Sequence, residues 1–156
     1  MSQIISILNF EEGFKATPYI DTEGYPTVGT GFKIGPKGAA LSNYTFTLPK
    51  DASDAWLESF VNQTIAKMNA SPPIVAALSK CNEPRRDILI SMAFQMGVAG
   101  LAGFKNTLAM IAAGNFAGAS AGMLSSLWAK QTKNRAARHA EVMRTGEMTV
   151  YAGLLQ

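Results

Sequence analysis

The chain has 156 residues, 47% of them hydrophobic and 16% charged, enough apolar material for one compact unit or two small lobes that fold alone. The formal net charge is +3, with eight Lys/Arg against three Asp/Glu in residues 84–156 and six against eight in residues 1–83, which admits a polyanionic partner without a dense basic block that demands one. A single cysteine, Cys81, and a single histidine, His139, exclude an intramolecular disulfide framework, a paired-Cys zinc site and a His-rich metal centre, and fit a reducing compartment.

Met1 to Phe10 has no basic leading region and its apolar run is broken by Ser6 and Asn9, so neither a signal peptide nor a membrane anchor is predicted. Ile4, Ile5 and Leu8 recur at helical spacing and Gly13 stands where a left-handed cap ends a helix, which puts Glu11 and Glu12 in its last turn. From Ala16 to about Thr47 the pattern changes. Tyr19, Tyr25, Thr27, Val28, Thr30 and Phe32 are strand formers punctuated by Gly24, Pro26, Gly29, Gly31 and Gly35, and predict a small antiparallel sheet with a possible returning strand over 43–48. After Pro49, Leu57, Phe60, Val61, Thr64, Ile65 and Met68 mark one face of a long helix that ends near Ser71-Pro72-Pro73 and joins two lobes. The remainder reads as helices over 74–80, from Pro84 to about Met96, 104–113, 116–130, and from an N-cap at Asn134 to Thr145 before Gly146. The predicted class is α+β: a β-containing lobe over about 14–60, and a larger helical lobe of about 1–13 with 70–156, with a cleft expected between them.

In this outline Glu12 ends a helix, Asp21 lies in a turn after one strand and Thr27 lies in the next. Glycoside hydrolysis needs one protonated acid at the leaving oxygen and a second carboxylate that attacks or steers a water, and Glu12 with Asp21 supplies such a pair. Ordinary surface acids at a helix end and a turn have the same appearance. The run Val28-Gly29-Thr30-Gly31 is no nucleotide loop, because Ile34 stands at the third glycine position and no strand-to-helix context follows. Asp21 to Glu23 is too short of oxygen ligands for a calcium loop. Trp56, Trp128 and the methionines Met92, Met96, Met110 and Met123 are expected in the core, and Arg85, Arg86 and Arg138 on a solvated basic face.

Three blocks carry a resemblance. Glu12-Gly13-Phe14-Lys15 with Tyr19, Asp21, Gly24-Tyr25 and Thr27-Val28-Gly29-Thr30-Gly31 resembles the active-site segment of the T-even phage lysozymes, a family of endolysins and tail-associated muramidases (glycoside hydrolase family 24). The nine-residue step from Glu12 to Asp21 and the six-residue step to Thr27 match the family's Glu, Asp, Thr pattern. Arg86, 91–97 and 103–108 form a second similar block; Trp128, 131–136 and 144–146 form a third. The resemblance implies a lysozyme-like fold in which Glu12 is the general acid, Asp21 positions the attacking water and Thr27 is its hydrogen-bonding partner. Both glutamates lie near the apolar face of the first helix; the family's Glu-Gly step selects Glu12. It also implies that Phe94, Gln95 and Thr107 touch the sugar polymer and that Arg135 pairs with the catalytic glutamate across the cleft. Phe32 and Lys33 stand where the family commonly has a histidine and an apolar residue, so a histidine-based ion pair is lost there and Lys33 is a substrate-binding candidate by position alone. Gly122 stands where a side-chain donor is usual, and Leu127 replaces a polar residue.

The implied activity is hydrolysis of the β-1,4 bond between N-acetylmuramic acid and N-acetylglucosamine in peptidoglycan, inverting, with no cofactor, no metal, no nucleic-acid partner and no membrane insertion. A monomer is expected, held in the host cytoplasm until a separate holin-type pore protein lets it reach the wall. A lytic transglycosylase would use a lone glutamate, and a catalytically idle wall-binding module would need only the cleft; Asp21 and Thr27 at family spacing argue against both.

Overall fold

A computed structural model describes residues 1–156. It is α+β, with nine α-helices and one three-stranded antiparallel sheet. The chain divides into two compact units, one of residues 1–4 with 61–156 and one of residues 5–60, and the division falls inside the first and second helices. No helix is long and apolar enough to cross a membrane.

Within 5–60, helix α1 (Ile4–Glu12) stops at Gly13, whose φ of +77° lets its N–H return to the Asn9 carbonyl at 3.1 Å. Strands β1 (Lys15–Ile20), β2 (Pro26–Gly29) and β3 (Phe32–Lys33) follow in spatial order. The register pairs Tyr19 with Thr27 and Thr27 with Lys33, so these three side chains form one row, while Val28 pairs with Phe32 on the opposite face. An irregularity between Lys15 and Tyr19 spans Pro18, which has no N–H to give to the ladder. Ile7, Leu8, Val28, Phe32 and Leu57 are the buried apolar residues that anchor these elements. A returning strand over 43–48 does not form. After a 3-10 turn at Leu41–Asn43 the segment makes one bond, from the Leu48 N–H to the Ala16 carbonyl at 2.7 Å, and Pro49 cannot extend the ladder. Tyr44 instead packs its hydroxyl end against Gly35, where a Cβ would overlap it.

Helix α2 (Lys50–Met68) carries Trp56 and Phe60 beside Phe32; Trp56 stacks on Phe32 with ring centroids 4.4 Å apart. The expectation of a core position for Trp56 is corrected, because it is 37% exposed and covers Phe32 rather than lying beneath it. Trp128, by contrast, is buried, as are Met92 and Met123.

The helical unit holds α3 (Pro72–Leu78), α4 (Glu83–Met96), α5 (Val98–Ala102), α6 (Lys105–Ala112), α7 (Phe116–Leu124), α8 (Leu127–Gln131) and α9 (Lys133–Thr145). Pro72 and Pro84 sit in first turns, where their missing N–H costs nothing. The single helix expected over 116–130 is two. Ser125 Oγ donates to the Gly122 carbonyl, and Ser126 Oγ donates to the Met123 carbonyl while accepting the Ala129 N–H, so the pair ends one helix and caps the next. The last helix begins after Thr132 rather than Asn134, with no side-chain cap because the Thr132 hydroxyl donates back to the Trp128 carbonyl, and α5 covers a stretch for which the sequence predicts no element.

Arg85 departs from the solvated face foreseen for it. Its Nε donates to the Met143 carbonyl at 2.8 Å and its Nη2 to the Arg144 carbonyl at 3.2 Å, while its guanidinium lies 3.5 Å from the Phe116 ring centre. With Asn82 Nδ2 on the Gly146 carbonyl at 2.9 Å, the start of α4 satisfies the orphan carbonyls at the end of α9, where a cation also favours the helix dipole.

Candidate active site

Glu12 closes α1 and is half-buried. The β2–β3 turn passes beside it, since a Cβ at Gly31 would lie 4.0 Å from that of Glu12, and Gly31 takes φ +75°. The turn is tied to α1 by a short bond from Thr30 Oγ1 to Asn9 Oδ1, and Asn9 Nδ2 donates to Asp54 Oδ1 at 2.8 Å, which also binds Lys50. Thr30 itself is buried, so the end of this chain nearest Glu12 is shielded from solvent, while its far end at Asp54 and Lys50 lies at the surface.

Asp21 begins the turn between β1 and β2. Its Oδ1 accepts the N–H groups of Tyr25 at 2.8 Å and Glu23 at 2.9 Å, leaving Oδ2 for other partners. The Tyr25 N–H above all, with the Glu23 N–H, the Lys33 charge and the Gly24 N–H, holds this carboxyl below its ordinary range, against burial, which raises it and is second in size only to the Tyr25 bond. Thr27 is 1% exposed and gives its hydroxyl proton to the Tyr25 carbonyl at 2.9 Å, so what it can offer a further partner is a lone pair. Lys33 lies at the end of the row, 3.2 Å from Glu23 Oε2 and 4.0 Å from the Tyr25 ring centre. Its ammonium is held charged chiefly by Glu23.

Tyr19 joins these groups. Its phenol is pushed up first by burial and then by the negative charges of Asp21 and Glu12, which places both carboxylates within Coulombic reach of one side chain. Tyr19 belongs to the motif read from the sequence but was assigned no part in the site; its signal was the strand alternation that sets it opposite Thr27.

Glu12, Asp21, Thr27 and Lys33 thus stand together in the unit of residues 5–60, and the other expected site residues belong to the helical unit. There Gln95, on α4 beside Phe94, accepts the Trp128 indole N–H at 2.8 Å. Thr107, 6% exposed on α6, lines a surface pocket of about 550 Å³ with Phe104, Lys105, Asn106, Gly122 and Ser125. A Cβ at Gly122 would come within 2.8 Å of Thr107 Oγ1, so the absent side chain is what leaves that hydroxyl open to the pocket. Arg135 is 7% exposed, with its Nη2 donating to Ser91 Oγ at 2.9 Å and to the Ser91 carbonyl at 3.3 Å.

The electrostatics of Asp21 carry a pH prediction. A depressed carboxyl stays ionised to lower pH, so activity that needs the carboxylate extends further into acid; Lys33→Gln removes one lowering influence and should move the acid limb of kcat/KM toward neutral pH. The displacement is small even at low salt, because the backbone donors remain and Lys33 is exposed, and it shrinks as ionic strength rises. pH profiles of both proteins at two salt concentrations measure it.

A helical unit with a small antiparallel sheet defines a lysozyme-like α+β fold. Residues 9–144 match the phage lysozyme family, and the chain belongs to it. It is 30% identical to probable T4-type lysozyme 1 of Dictyostelium discoideum over 97% of this chain and 99% of that protein, and 26% identical to probable T4-type lysozyme 2 of the same organism over the same shares. It is also 29% identical, over 93% of its length, to 28% of the pre-baseplate central spike protein Gp5 of Enterobacteria phage T4. Membership makes the chain a lysozyme, a glycoside hydrolase acting on peptidoglycan.

Proposed function

We propose that this lysozyme is an endolysin that cleaves the β-1,4 bond between N-acetylmuramic acid and N-acetylglucosamine with inversion, using Glu12 as acid and a water held by Asp21 and Thr27. The observation that carries this reading is geometric: Glu12 ends α1 beside the Gly31 turn, while Asp21, fixed by the Tyr25 and Glu23 N–H groups, starts the turn that leads into buried Thr27 of the same sheet. Asp21 Oδ2 accepts a hydrogen bond from the water and takes that proton as the water attacks, while the Thr27 hydroxyl, whose own proton is committed to the Tyr25 carbonyl, accepts a hydrogen bond from the other O–H, which stays on the product. A water held by two acceptors keeps a lone pair for the anomeric carbon, while Glu12 protonates the departing oxygen. Lys33, Phe94, Gln95, Thr107 and Arg135 are assigned to the glycan, with Arg135 as the partner charge of Glu12 on the strength of the family resemblance. Host lysis, cytoplasmic storage and passage to the wall through a separate pore-forming protein belong to the same reading.

Digestion of purified peptidoglycan tests it. New reducing ends, with the α-anomer appearing first in proton NMR spectra of fresh product, are expected for inversion of a β-linkage. Anhydro ends would mark a transglycosylase, a first-formed β-anomer a retaining enzyme, and no new ends an idle binding module.

A further inference from the structure

Behind Arg135 lies a polar chain that the reaction as drawn does not use. Arg135 Nη2 donates to Ser91 Oγ at 2.9 Å; Ser91 Oγ stands 2.7 Å from His139 Nε2; and His139 Nδ1 stands 2.9 Å from the Tyr151 hydroxyl. All four residues belong to the helical unit, and Ser91 and His139 have no exposed surface. A guanidinium only donates, so Ser91 Oγ is an acceptor toward Arg135. Its single proton then points to Nε2, a direction favoured by the short distance and by the cation that polarises the hydroxyl from the other side.

The charged groups acting on the imidazole are Arg135 and Arg138 of its own helix, and the other groups facing it are Ser91 of α4, the Trp128 ring of α8 and the Tyr151 phenol. Burial first, then the two guanidinium charges, hold His139 well below its ordinary value, so the ring is neutral and Nε2 has a lone pair to offer. With Nε2 accepting, Nδ1 carries the ring proton and donates to Tyr151. A neutral histidine beside two arginines is a poor partner for charge but a good fixed acceptor.

We propose that His139, acting through Ser91, is a positioning residue that holds the Arg135 guanidinium in one orientation. The inference rests on the reading above that Arg135 serves the reaction. A hydroxyl with a fixed acceptor cannot rotate its proton toward the guanidinium, so one lone pair of Ser91 Oγ always faces Nη2. Without His139 the rotor is free and the stronger of the two Ser91 bonds to Arg135 loses its fixed direction, in a site where small displacements are costly.

The test reads Arg135 directly and through catalysis. In nitrogen-15 side-chain spectra, a held guanidinium gives separate Nη signals. These are expected in the unmodified protein and in His139→Gln, whose amide oxygen stands where Nε2 does, and are expected to merge in Ser91→Ala and His139→Leu. Merged signals in the unmodified protein, or unaltered ones in Ser91→Ala, overturn the proposal; His139→Gln and Ser91→Ala keep the test open if His139→Leu does not fold. In peptidoglycan hydrolysis, Ser91→Ala should lower kcat/KM about tenfold, the scale of one hydrogen bond to a charged group, and have no further effect beside Arg135→Gln. An equal loss in both backgrounds would mark a merely structural role and also overturn the proposal. Full activity of Arg135→Gln instead removes Arg135 from the reaction while the spectra still decide the positioning.

Discussion

Glu12→Gln is expected to reduce wall hydrolysis by roughly 10² to 10⁴, the usual contribution of a positioned general acid, while the protein stays folded. Glutamine preserves the shape of the side chain beside Gly31 and removes only its ability to give up a proton. The leaving oxygen then departs as an alkoxide, without the proton that lowers the cost of that step. Glu11→Gln is the matched control, since Glu11 shares the half-burial and helix of its neighbour but not its place before Gly13. Turbidity loss of a wall suspension together with thermal melting separates the outcomes: a dead Glu11→Gln with an active Glu12→Gln would move the acid by one residue.

Gly29→Ala should cost more stability than any single methyl group added at the surface. Gly29 has φ +64°, and a Cβ there would lie 2.7 Å from Ser53 Oγ and 2.8 Å from Phe32 Cδ2. The left-handed backbone costs an L-residue roughly 1–2 kcal/mol. Forcing a methyl group into the packed contact with Phe32 and buried Ser53 adds roughly 1–3 kcal/mol. For a chain of this size that total lowers Tm by roughly 5–15 °C, measurable by calorimetry. Gly38→Ala is the comparison: φ is +83° but nothing lies within 4 Å, so only the backbone share is lost. Equal losses in the two variants would mean that Gly29 is needed for its backbone alone.

The local devices of this fold were legible in the amino-acid sequence. Gly13 ends the first helix and Gly146 the last because only glycine takes the left-handed turn cheaply, and Pro72 and Pro84 open helices because proline lacks only an N–H that a first turn leaves unused. The strand formers Tyr19, Tyr25, Thr27, Val28 and Phe32 and the nine- and six-residue steps from Glu12 to Asp21 to Thr27 are likewise written along the chain, whereas the row of Tyr19, Thr27 and Lys33 came from the strand register. Tertiary structure decided the rest. The break within 116–130 is the exception, since Ser125 and Ser126 make it on carbonyls only three residues back, as local as any cap but announced by no glycine or proline. Arg85 reads as surface charge until it meets the end of α9, 59 residues away, where it becomes a cap. Arg135 and His139 read as a cation and a titratable ring on one helix, but burial against Ser91 makes the first a fixed donor and the second a neutral acceptor. Helix caps and strand periodicity are written over three or four residues, whereas the partner that satisfies a buried polar group is chosen by contacts 44 to 48 residues apart along the chain, and no short-range pattern encodes it.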